Sequence, residues 1–564
     1  ERERQALLAF KRGLVDKFDV LSSWGSEAQK QDCCRWVGVS CSNQTGHVLQ
    51  LDLSYKVIGE DYYLQGKMIS PKLIELHHLQ HLALSSIDFT GSQFPYFIGS
   101  LTNLRYLDLS STDLEGKFPS QVGNLTNLMY LDLSFNSFTN VENLDWLPLL
   151  SSLRYLGLSF MNLSNVFDWP EAVNKLPELT NLTLVGCDLP SPILSTLSYI
   201  NSSKSLTSVD LYSNRLNTSS IFVWLSNYNT SLVYLDLSYN LLASSIPDVF
   251  GNMSSLAHLD LSSNQLSEVI SGTHFSKLSK LQHLDLSSNS LVLDIHADWI
   301  PPFQLHYINL ESCKMGPHFP KWLQTQKNIS YLHISDAGIS DILPSWFWSL
   351  CRNVGHMDLA RNQIRGSISF LCSSVAIGLV FLNLSSNNVS GQVPDCWTHL
   401  ENLVMLDLSY NALSGKIPTT IGALLPSQLC HLIRIQNLDF SMNNISGSIP
   451  SCLKNLTTLA QKGNSSLTSE HSYDTPTYLD RYNYPYVDDA TFMWKGGMQT
   501  FRSILWLVKR IDLSSNKLTG EIPSEITHLV GLVSLNLSRN QLTGQITKEI
   551  GNLQSLDSLD LSRN

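Results

Sequence analysis

Acidic residues recur through the sequence at one fixed position, and paired carboxylates are the groups that general acid–base catalysis would use. Asp108, Asp132, Asp236, Asp260 and Asp285 each lie between two leucines. An acid catalyst needs a desolvated pocket that shifts its pKa, and we expect these carboxylates to form an exposed ladder that offers no such pocket. The sequence also contains no H-E-x-x-H, P-loop or G-x-S-x-G motif. We therefore expect no catalytic residue, no metal and no cofactor.

The ten cysteines indicate disulfide chemistry rather than metal binding. The two cysteines that flank Trp36 have no accompanying pair of histidines, so a staple is favoured over a zinc site. Two further pairs are separated by about one repeat, which stacked coils would bring together; four buried free thiols are the alternative. The predicted disulfides are Cys34–Cys41, Cys372–Cys396 and Cys430–Cys452. The sequence does not assign Cys33, Cys187, Cys313 or Cys351.

These residues are positioned by a repeated element, L-x-x-L-x-L-x-x-N-x-L, often followed by G-x-I-P. Asn516, Asn540 and Asn564 mark its period of 24 residues, which is the period of leucine-rich repeats. The alternation around Leu107 predicts a short strand with inward leucines, and the Asn is expected to satisfy buried backbone groups. Because one coil cannot bury its own leucines, neighbouring coils must stack. The sequence thus predicts an α/β solenoid, a right-handed superhelix with a parallel β-sheet on its concave face.

Charge and sequons indicate a secreted protein that does not bind nucleic acid. The formal net charge is −11, whereas phosphate binding needs clustered Lys and Arg. Asn-x-Ser/Thr sequons are dense, although chance in an Asn-, Ser- and Leu-rich repeat explains those at Asn383 and Asn536, which lie inside predicted strands. The predicted glycosylation sites are Asn43, Asn124, Asn162, Asn201, Asn217, Asn229, Asn252, Asn328, Asn388, Asn444, Asn455 and Asn464.

The chain divides into four predicted regions. Residues 1–50 form an amino-terminal cap that begins with an amphipathic helix, and residues 51–458 form leucine-rich repeats with an insert loop at 55–67. An island segment at 459–505 lacks leucine periodicity, and repeats resume at 506–564. Two repeat ends abut near 424–425, so we expect that one or more coils are absent there. The last repeat stops in its middle and no apolar run spans a membrane, so we expect a fragment of a longer protein.

Several stretches resemble plant leucine-rich-repeat receptors. They are the cap segments 6–11 (A-L-L-A-F-K), 21–24 (L-S-S-W), 32–41 (D-C-C-R-W-V-G-V-S-C) and 45–48 (T-G-H-V). Residues 299–305 (W-I-P-P-F-Q-L) and 313–326 (C-K-M-G-P-H-F-P-K-W-L-Q-T-Q) are similar to plant receptor-like proteins of the ethylene-inducing-xylanase receptor type. The resemblance implies a plant-type solenoid and a plasma-membrane immune receptor, facing the extracellular side, that recognises a secreted microbial glycoside hydrolase. Its membrane helix and short kinase-less tail lie outside this sequence.

Two excursions from the repeat are the predicted partner-binding segments. The insert loop is acidic and aromatic, and the island segment combines Tyr, Pro and Asp; the resemblance implies that an island at this position contacts ligand. An ordinary surface loop and a simple spacer are the respective alternatives. The predicted contact residues are Lys56, Ile58, Glu60, Asp61, Tyr62, Tyr63, Tyr473, Asp474, Tyr478, Asp480, Arg481, Tyr482, Tyr484 and Tyr486.

A row of aromatic and His residues is predicted to lie side by side on the concave face. Lateral stacking that stiffens the sheet is one interpretation, and a binding stripe is the other. In the second case the histidines would add pH sensitivity in an acidic extracellular space. The candidate residues are Tyr234, His258, His283, Tyr307, Tyr331 and His356.

The resemblance also implies two kinase partners. These are a constitutive adaptor receptor-like kinase and a co-receptor of the somatic-embryogenesis receptor kinase type, which usually faces the carboxyl-terminal coils, here about 506–564. Two other functions stay open: a soluble inhibitor resembling polygalacturonase-inhibiting proteins, and the ectodomain of a peptide-hormone receptor. For the peptide receptor, the concave row rather than the excursions would carry binding.

Overall fold

A computed structural model gives the fold of the chain. It describes all residues except 28–29, 60–61, 140, 194–205, 244, 373–377, 395–396, 398–399, 418–427, 463–489, 495–496 and 502–507. The chain forms two compact units, the first comprising 1–268 with 273–281 and the second 269–272 with 282–564.

The first unit is built on a ladder of short strands, nearly all of which pair in parallel with the strand of the next coil. Tyr106 is opposite Tyr130, and Leu107 is opposite Leu131, so equivalent repeat positions form continuous rows. Leu107 and Leu109 are fully buried, because the alternation points these leucines toward the core. The strands are Val39–Cys41, Val48–Asp52, His81–Ala83, Tyr106–Asp108, Tyr130–Asp132, Tyr155–Gly157, Asn181–Thr183, Ser208–Asp210, Tyr234–Asp236 and His258–Asp260.

The second unit repeats this arrangement. All its main strands are parallel and in register, as Tyr307 opposite Tyr331 illustrates. The strands on either side of the island segment, Asn437–Asp439 and Arg510–Asp512, pair directly, so the solenoid continues past the excursion. The strands are His283–Asp285, Tyr307–Asn309, Tyr331–His333, His356–Asp358, Phe381–Asn383, Met405–Asp407, Asn437–Asp439, Arg510–Asp512, Ser534–Asn536 and Ser558–Asp560.

Most coils return through short helices, the majority of them 3-10 helices, and many also contain an accessory strand. The α-helices are Arg2–Lys11, Tyr55–Ile58, Trp169–Asn174 and Ser220–Leu225. The 3-10 helices are Cys33–Arg35, Pro71–Glu75, Tyr96–Ser100, Ser120–Asn124, Leu147–Leu149, Ser226–Tyr228, Asp248–Asn252, Gly272–Phe275, Lys321–Thr325, Ser345–Arg352, Ser369–Cys372, Gln428–His431, Ser451–Asn455, Ser524–His528 and Lys548–Asn552.

The accessory strands pair in small sheets. Leu14–Val15 pairs with Gln65–Gly66, and Ala490–Trp494 pairs with Gly497–Phe501, both antiparallel. The remaining ones are Glu115–Lys117, Ser137–Thr139, Val269–Ile270, Val292–Leu293, Arg365–Gly366, Asn388–Gln392, Ala412–Lys416, Asn444–Gly447, Lys517–Glu521 and Gln541–Thr543.

The repeat Asn joins successive coils through hydrogen bonds to the backbone. The side-chain amide of Asn240 donates to the carbonyl oxygens of Leu211 and Leu237, each at 3.0 Å. Its oxygen accepts from the backbone N–H of Leu216 at 3.1 Å. Asn240 is 4% exposed. One side chain therefore satisfies backbone groups of two coils in a place that water does not reach.

Two of the cysteines that the sequence leaves unassigned occupy the repeat position of this Asn. The Cys187 thiol donates to the Leu158 carbonyl oxygen at 3.2 Å, and the Cys313 thiol donates to that of Leu286 at 3.3 Å. Both side chains are fully buried, and burial raises the pKa of each thiol to about 12. They are weak substitutes for the Asn amide, and neither forms a disulfide.

Disulfides staple the cap and one pair of coils. Cys34 and Cys41 are bonded with a Cα–Cα distance of 5.4 Å, next to a stacked pair of rings, Trp24 and Trp36. Cys430 and Cys452 are bonded across one coil with a Cα–Cα distance of 5.9 Å. Both bridges are predicted by the sequence. The predicted Cys372–Cys396 bridge and the junction near 424–425 fall outside the described residues.

We predict that Asn240→Ala lowers the free energy of unfolding by about 1–3 kcal/mol, because the buried N–H of Leu216 loses its acceptor. The carbonyls of Leu211 and Leu237 each lose one of two side-chain donors and keep those of Asn214 and Asn264. Urea denaturation of the purified ectodomain measures this change. The matched control is Asn103→Ala, which removes one exposed hydrogen bond to the His77 carbonyl oxygen and should cost no more than about 0.5 kcal/mol. Equal losses in the two variants would contradict a special role for the buried Asn.

Candidate partner-binding surface

In the first unit, rings on the strand face stack from coil to coil. The ring centroids of Tyr106 and Tyr130 are 4.1 Å apart, and those of Tyr130 and Tyr155 are 4.3 Å apart. Tyr234 stacks on His258 at 4.3 Å. In each pair the planes are nearly parallel, with angles of 3 to 17°. The predicted side-by-side row is therefore present.

In the second unit the row is longer and more deeply buried. His283, Tyr307, Tyr331, His356 and Phe381 stack in sequence at 3.9 to 4.3 Å. The exposed fractions are 8% for His283, 5% for Tyr307 and 2% for His356. Because these rings offer little surface to a partner, their burial favours the stacking interpretation over the binding stripe for this unit.

Under the binding-stripe interpretation the histidines would add pH sensitivity, and the surroundings of His258 argue against this for that residue. His258 is half-buried, and its imidazole is packed in the stack. The loss of hydration lowers the pKa of this imidazole to about 3. The ring thus stays neutral throughout the mildly acidic range.

The carboxylates of the Leu-Asp-Leu triplets are also not exposed as we expected. Asp132, Asp285 and Asp407 are 5%, 6% and 4% exposed, whereas Asp108, Asp236 and Asp260 are half-buried. Each accepts a hydrogen bond from the backbone N–H two residues later, as from Ser409 to Asp407 at 2.9 Å. Burial, with the charge of Asp108, raises the pKa of Asp132 to about 6, and burial with the charge of Asp439 raises that of Asp407 to about 7.

Neutral and cationic side chains separate some of these carboxylates. Asn309 occupies the same repeat position and donates to Asp285 at 3.0 Å, and Asn536 donates to Asp512 at 3.0 Å. Arg510, 2% exposed, forms ion pairs with Asp439 at 2.6 Å and Asp512 at 2.7 Å. The row is a buried to half-buried, hydrogen-bonded structural ladder, in which each Asp or Asn closes the turn that follows its strand.

The insert loop is anchored at both ends. Ser54, at its start, donates through its hydroxyl to Asp52 at 2.6 Å, and the helix Tyr55–Ile58 follows. Gly59 ends this helix with a φ of 98°, a conformation that favours glycine. Leu64 is fully buried, and the pairing of Gln65–Gly66 with Leu14–Val15 ties the loop to the cap. The loop therefore presents its middle residues from a fixed base.

The exposed part of this loop forms an aromatic patch with the cap, which we call the insert patch (Lys17, Phe18, Tyr55, Lys56, Val57, Tyr62, Tyr63). Phe18, Tyr62 and Tyr63 are each 46% exposed. The Phe18 ring lies 5.6 Å from that of Tyr62 and 5.4 Å from that of Tyr63, both edge to face. Lys17 lies 5.7 Å over the Tyr63 ring. Rigid exposed rings of this kind are typical of binding surfaces.

The residues that form this surface differ in part from those predicted by the sequence. Phe18 and Lys17 were missed, because only the pairing of cap and loop strands brings them beside Tyr63. Ile58 is 9% exposed, so it supports the loop from beneath and offers little surface to a partner. Glu60 and Asp61 lie outside the described residues, as do all the predicted contacts of the island segment between Tyr473 and Tyr486.

The described residues show no helix long and apolar enough to cross a bilayer. The sulfurs of Cys33, Cys34 and Cys41 lie within 4.8 Å of one another. Since two of them form a disulfide, this cluster is a staple with an adjacent thiol.

Family models match the chain along much of its length. A leucine-rich repeat N-terminal domain matches residues 1–42, and a leucine-rich repeat region matches 47–267. Single leucine-rich repeats match six further segments between 280 and 553.

Two curated relatives come from Solanum lycopersicum. Receptor-like protein EIX1 is 31% identical in an alignment 572 positions long, and the match covers 70% of this chain and 55% of the relative. Receptor-like protein EIX2 is 32% identical in an alignment 822 positions long, and the match covers 95% of this chain and 80% of the relative. The chain therefore spans little more than half the length of EIX1.

Solved structures share the fold. The Arabidopsis receptor kinase HAESA, solved with the peptide hormone IDA and the co-receptor SERK1, has a TM-score of 0.65 and 25% identity, covering 100% of this chain and 90% of that one. PEPR1, solved with AtPEP1, has a TM-score of 0.62 and 23% identity, covering 100% of this chain and 75% of that one. The second likeness concerns the fold alone.

We predict that Asp407→Asn stabilises the chain at neutral pH. In the folded chain Asp407 stays protonated up to about pH 7, whereas in the unfolded chain its carboxyl group has a pKa of about 4. The wild type therefore loses stability as the pH rises through this window, and the amide does not. We expect the free energy of unfolding of the variant to exceed that of the wild type by about 1–3 kcal/mol at about pH 7.5, and this difference to vanish at about pH 4. Urea denaturation at several pH values measures it.

The matched control is Asp294→Asn, at an exposed carboxylate of the same unit, which should leave the pH dependence unchanged. Because Asp407→Asn creates an Asn-Leu-Ser sequon, intact mass must show that no glycan is attached. A stability difference that is the same at all pH values would contradict the prediction.

Proposed function

This chain belongs to the plant leucine-rich-repeat receptor-like proteins of the EIX type, and we propose that it is the extracellular part of a cell-surface immune receptor that binds a secreted microbial glycoside hydrolase. The observation that carries the proposal is the 31–32% identity to the receptor-like proteins EIX1 and EIX2. The proposed hydrolase is of the xylanase or xyloglucanase type.

The insert patch supports a role in contacting this enzyme. Its rings are exposed and held from below by Ile58 and Leu64, so binding would immobilise few side chains that were free before. The groove of a glycan-cleaving enzyme is lined to stack sugar rings, and Tyr62 and Tyr63 could take the place of those sugars. The same reasoning extends to the Tyr-rich part of the island segment, residues 473–489. Binding there would also block turnover of the enzyme.

Recruitment of kinases completes the proposal. A co-receptor of the somatic-embryogenesis receptor kinase type would contact the coils at 506–564, and an adaptor receptor-like kinase would be bound constitutively. The structure of HAESA with IDA and SERK1 supports a co-receptor for this class of ectodomain. The proposed location is the extracellular side of the plasma membrane.

The likeness to HAESA favours a second candidate, a receptor for a peptide hormone that binds along the strand face. The half-buried residues Tyr234, His258 and Tyr331 would then carry binding. A soluble inhibitor that resembles polygalacturonase-inhibiting proteins would share the hydrolase contact but would recruit no kinase.

We predict that the double substitution Tyr62→Ala, Tyr63→Ala raises the Kd for a purified fungal xylanase or xyloglucan-specific endoglucanase by about tenfold or more, because it deletes two anchoring rings. Biolayer interferometry with the secreted ectodomain measures the Kd, and release of reducing sugar at saturating receptor measures inhibition. Replacement of 473–489 by a Gly/Ser linker should weaken binding in the same direction.

The matched control is Tyr96→Ala, which removes a ring that is 48% exposed on a 3-10 helix outside the patch and should leave the Kd unchanged. A full turnover rate at saturating receptor would contradict occupation of the cleft. Loss of binding on substitution of Tyr234 or Tyr331, with none at the insert patch, would favour the peptide-receptor candidate instead.

A further inference from the structure

A polar cleft lies among the carboxyl-terminal coils of the second unit. Its volume is about 620 Å³, and its walls come from the 3-10 helices Ser524–His528 and Lys548–Asn552 together with Lys462. Hydroxyl, amide, imidazole, ammonium and carboxylate groups face it, and Val530 supplies an apolar side. These groups include those of Ser524, His528, Glu549 and Gln554.

The wall that contains Lys462 is held firmly. Gly531 donates from its backbone to the Leu459 carbonyl oxygen at 2.9 Å, and Lys509 donates to that of Gln461 at 2.9 Å. A Cβ on Gly531 would lie 1.9 Å from the Gln461 oxygen, so only glycine permits this approach. The ammonium of Lys462 then reaches across the cleft and donates to the Gln554 side-chain oxygen.

Asn455 stands beside this cleft. It is the last residue of the 3-10 helix Ser451–Asn455 and is exposed to solvent. It also begins the sequon Asn455-Leu456-Thr457. This helix packs against Ser524–His528, which packs against Lys548–Asn552. His528 and Asn552 occupy the same position in their helices as Asn455 does in its own. Asn455 thus lies one coil away from the helix Ser524–His528, which forms the nearer wall of the cleft.

We propose that the cleft is a saccharide site and that its occupant is the N-linked glycan of Asn455. The first N-acetylglucosamine residues would extend over His528 toward Asn552. Their hydroxyl groups meet Ser524, Glu549 and Gln554, and the methyl of an acetamido group meets Val530. Polar side chains that converge on one cleft match the many hydroxyl groups of a saccharide, and Val530 adds one apolar contact. The glycan would cover the junction of the last two coils.

The chain supplies a matched site for comparison. Asn124 ends the 3-10 helix Ser120–Asn124, is exposed, and begins the sequon Asn124-Leu125-Thr126. It therefore occupies the same repeat position as Asn455, but in the first unit and far along the sequence from the cleft. A glycan there should project freely into solvent.

The test uses the secreted, glycosylated chain, with peptide mass spectrometry to establish occupancy at both sites. Endoglycosidase trimming of the folded protein should be slower at Asn455 than at Asn124 by about threefold or more, because the docked sugar is protected. The substitution His528→Ala should remove this difference. After trimming, the backbone amides of 524–530 and 548–554 should exchange hydrogen faster, while those around Asn124 do not change.

Because the glycan is trimmed from the folded protein, the test does not depend on whether Asn455→Gln folds. The variant Asn124→Gln is the control, since it lacks a glycan at the matched site. An unoccupied Asn455, equal trimming rates, or unchanged exchange in 524–530 and 548–554 would each overturn the proposal. None of these outcomes bears on hydrolase binding, which is measured at the insert patch.

Discussion

The structure depends on one constraint: backbone groups that become buried between coils must find partners without water. The repeat Asn meets it, since a single amide donates to carbonyls of two coils and accepts an N–H, as Asn240 does. The leucine core supplies most of the free energy of folding, but leucines alone do not specify how successive coils align. The Asn row does, and the parallel register of both sheets follows from it.

The Asp and Asn side chains on the strand face also satisfy backbone groups, but the carboxylates among them repel one another. A column of buried carboxylates repels itself, and the raised pKa values of Asp132 and Asp407 report that repulsion together with desolvation. Asn309, Asn536 and Arg510 relieve it at intervals. The stacked rings beside them add lateral stiffness. The strand face is thus largely devoted to holding the coils together, which leaves the insert patch as a surface less constrained by the repeat.

The solenoid, its strands and the Cys430–Cys452 disulfide were predictable because they follow from spacing within or between repeats. The cap helix and the Cys34–Cys41 disulfide were predictable from local spacing in the cap. Burial on the strand face was not predictable, since alternation tells which side a residue faces but not how tightly neighbours pack over it; Asp132 was misjudged for this reason. Phe18 was missed because it joins Tyr63 only through the pairing of Leu14–Val15 with Gln65–Gly66. The role of Cys187 and Cys313 became clear only from the hydrogen bonds that their thiols donate to backbone carbonyls of the preceding coil.

Those two cysteines have a practical consequence. Each unit carries one thiol at an Asn position, shielded from solvent and held by a carbonyl of the preceding coil. Neither can react with an alkylating reagent until its coil separates from the one before it. The rate of labelling at Cys187 and at Cys313 therefore reports the breathing of each unit separately, and the native protein carries both reporters without any engineering.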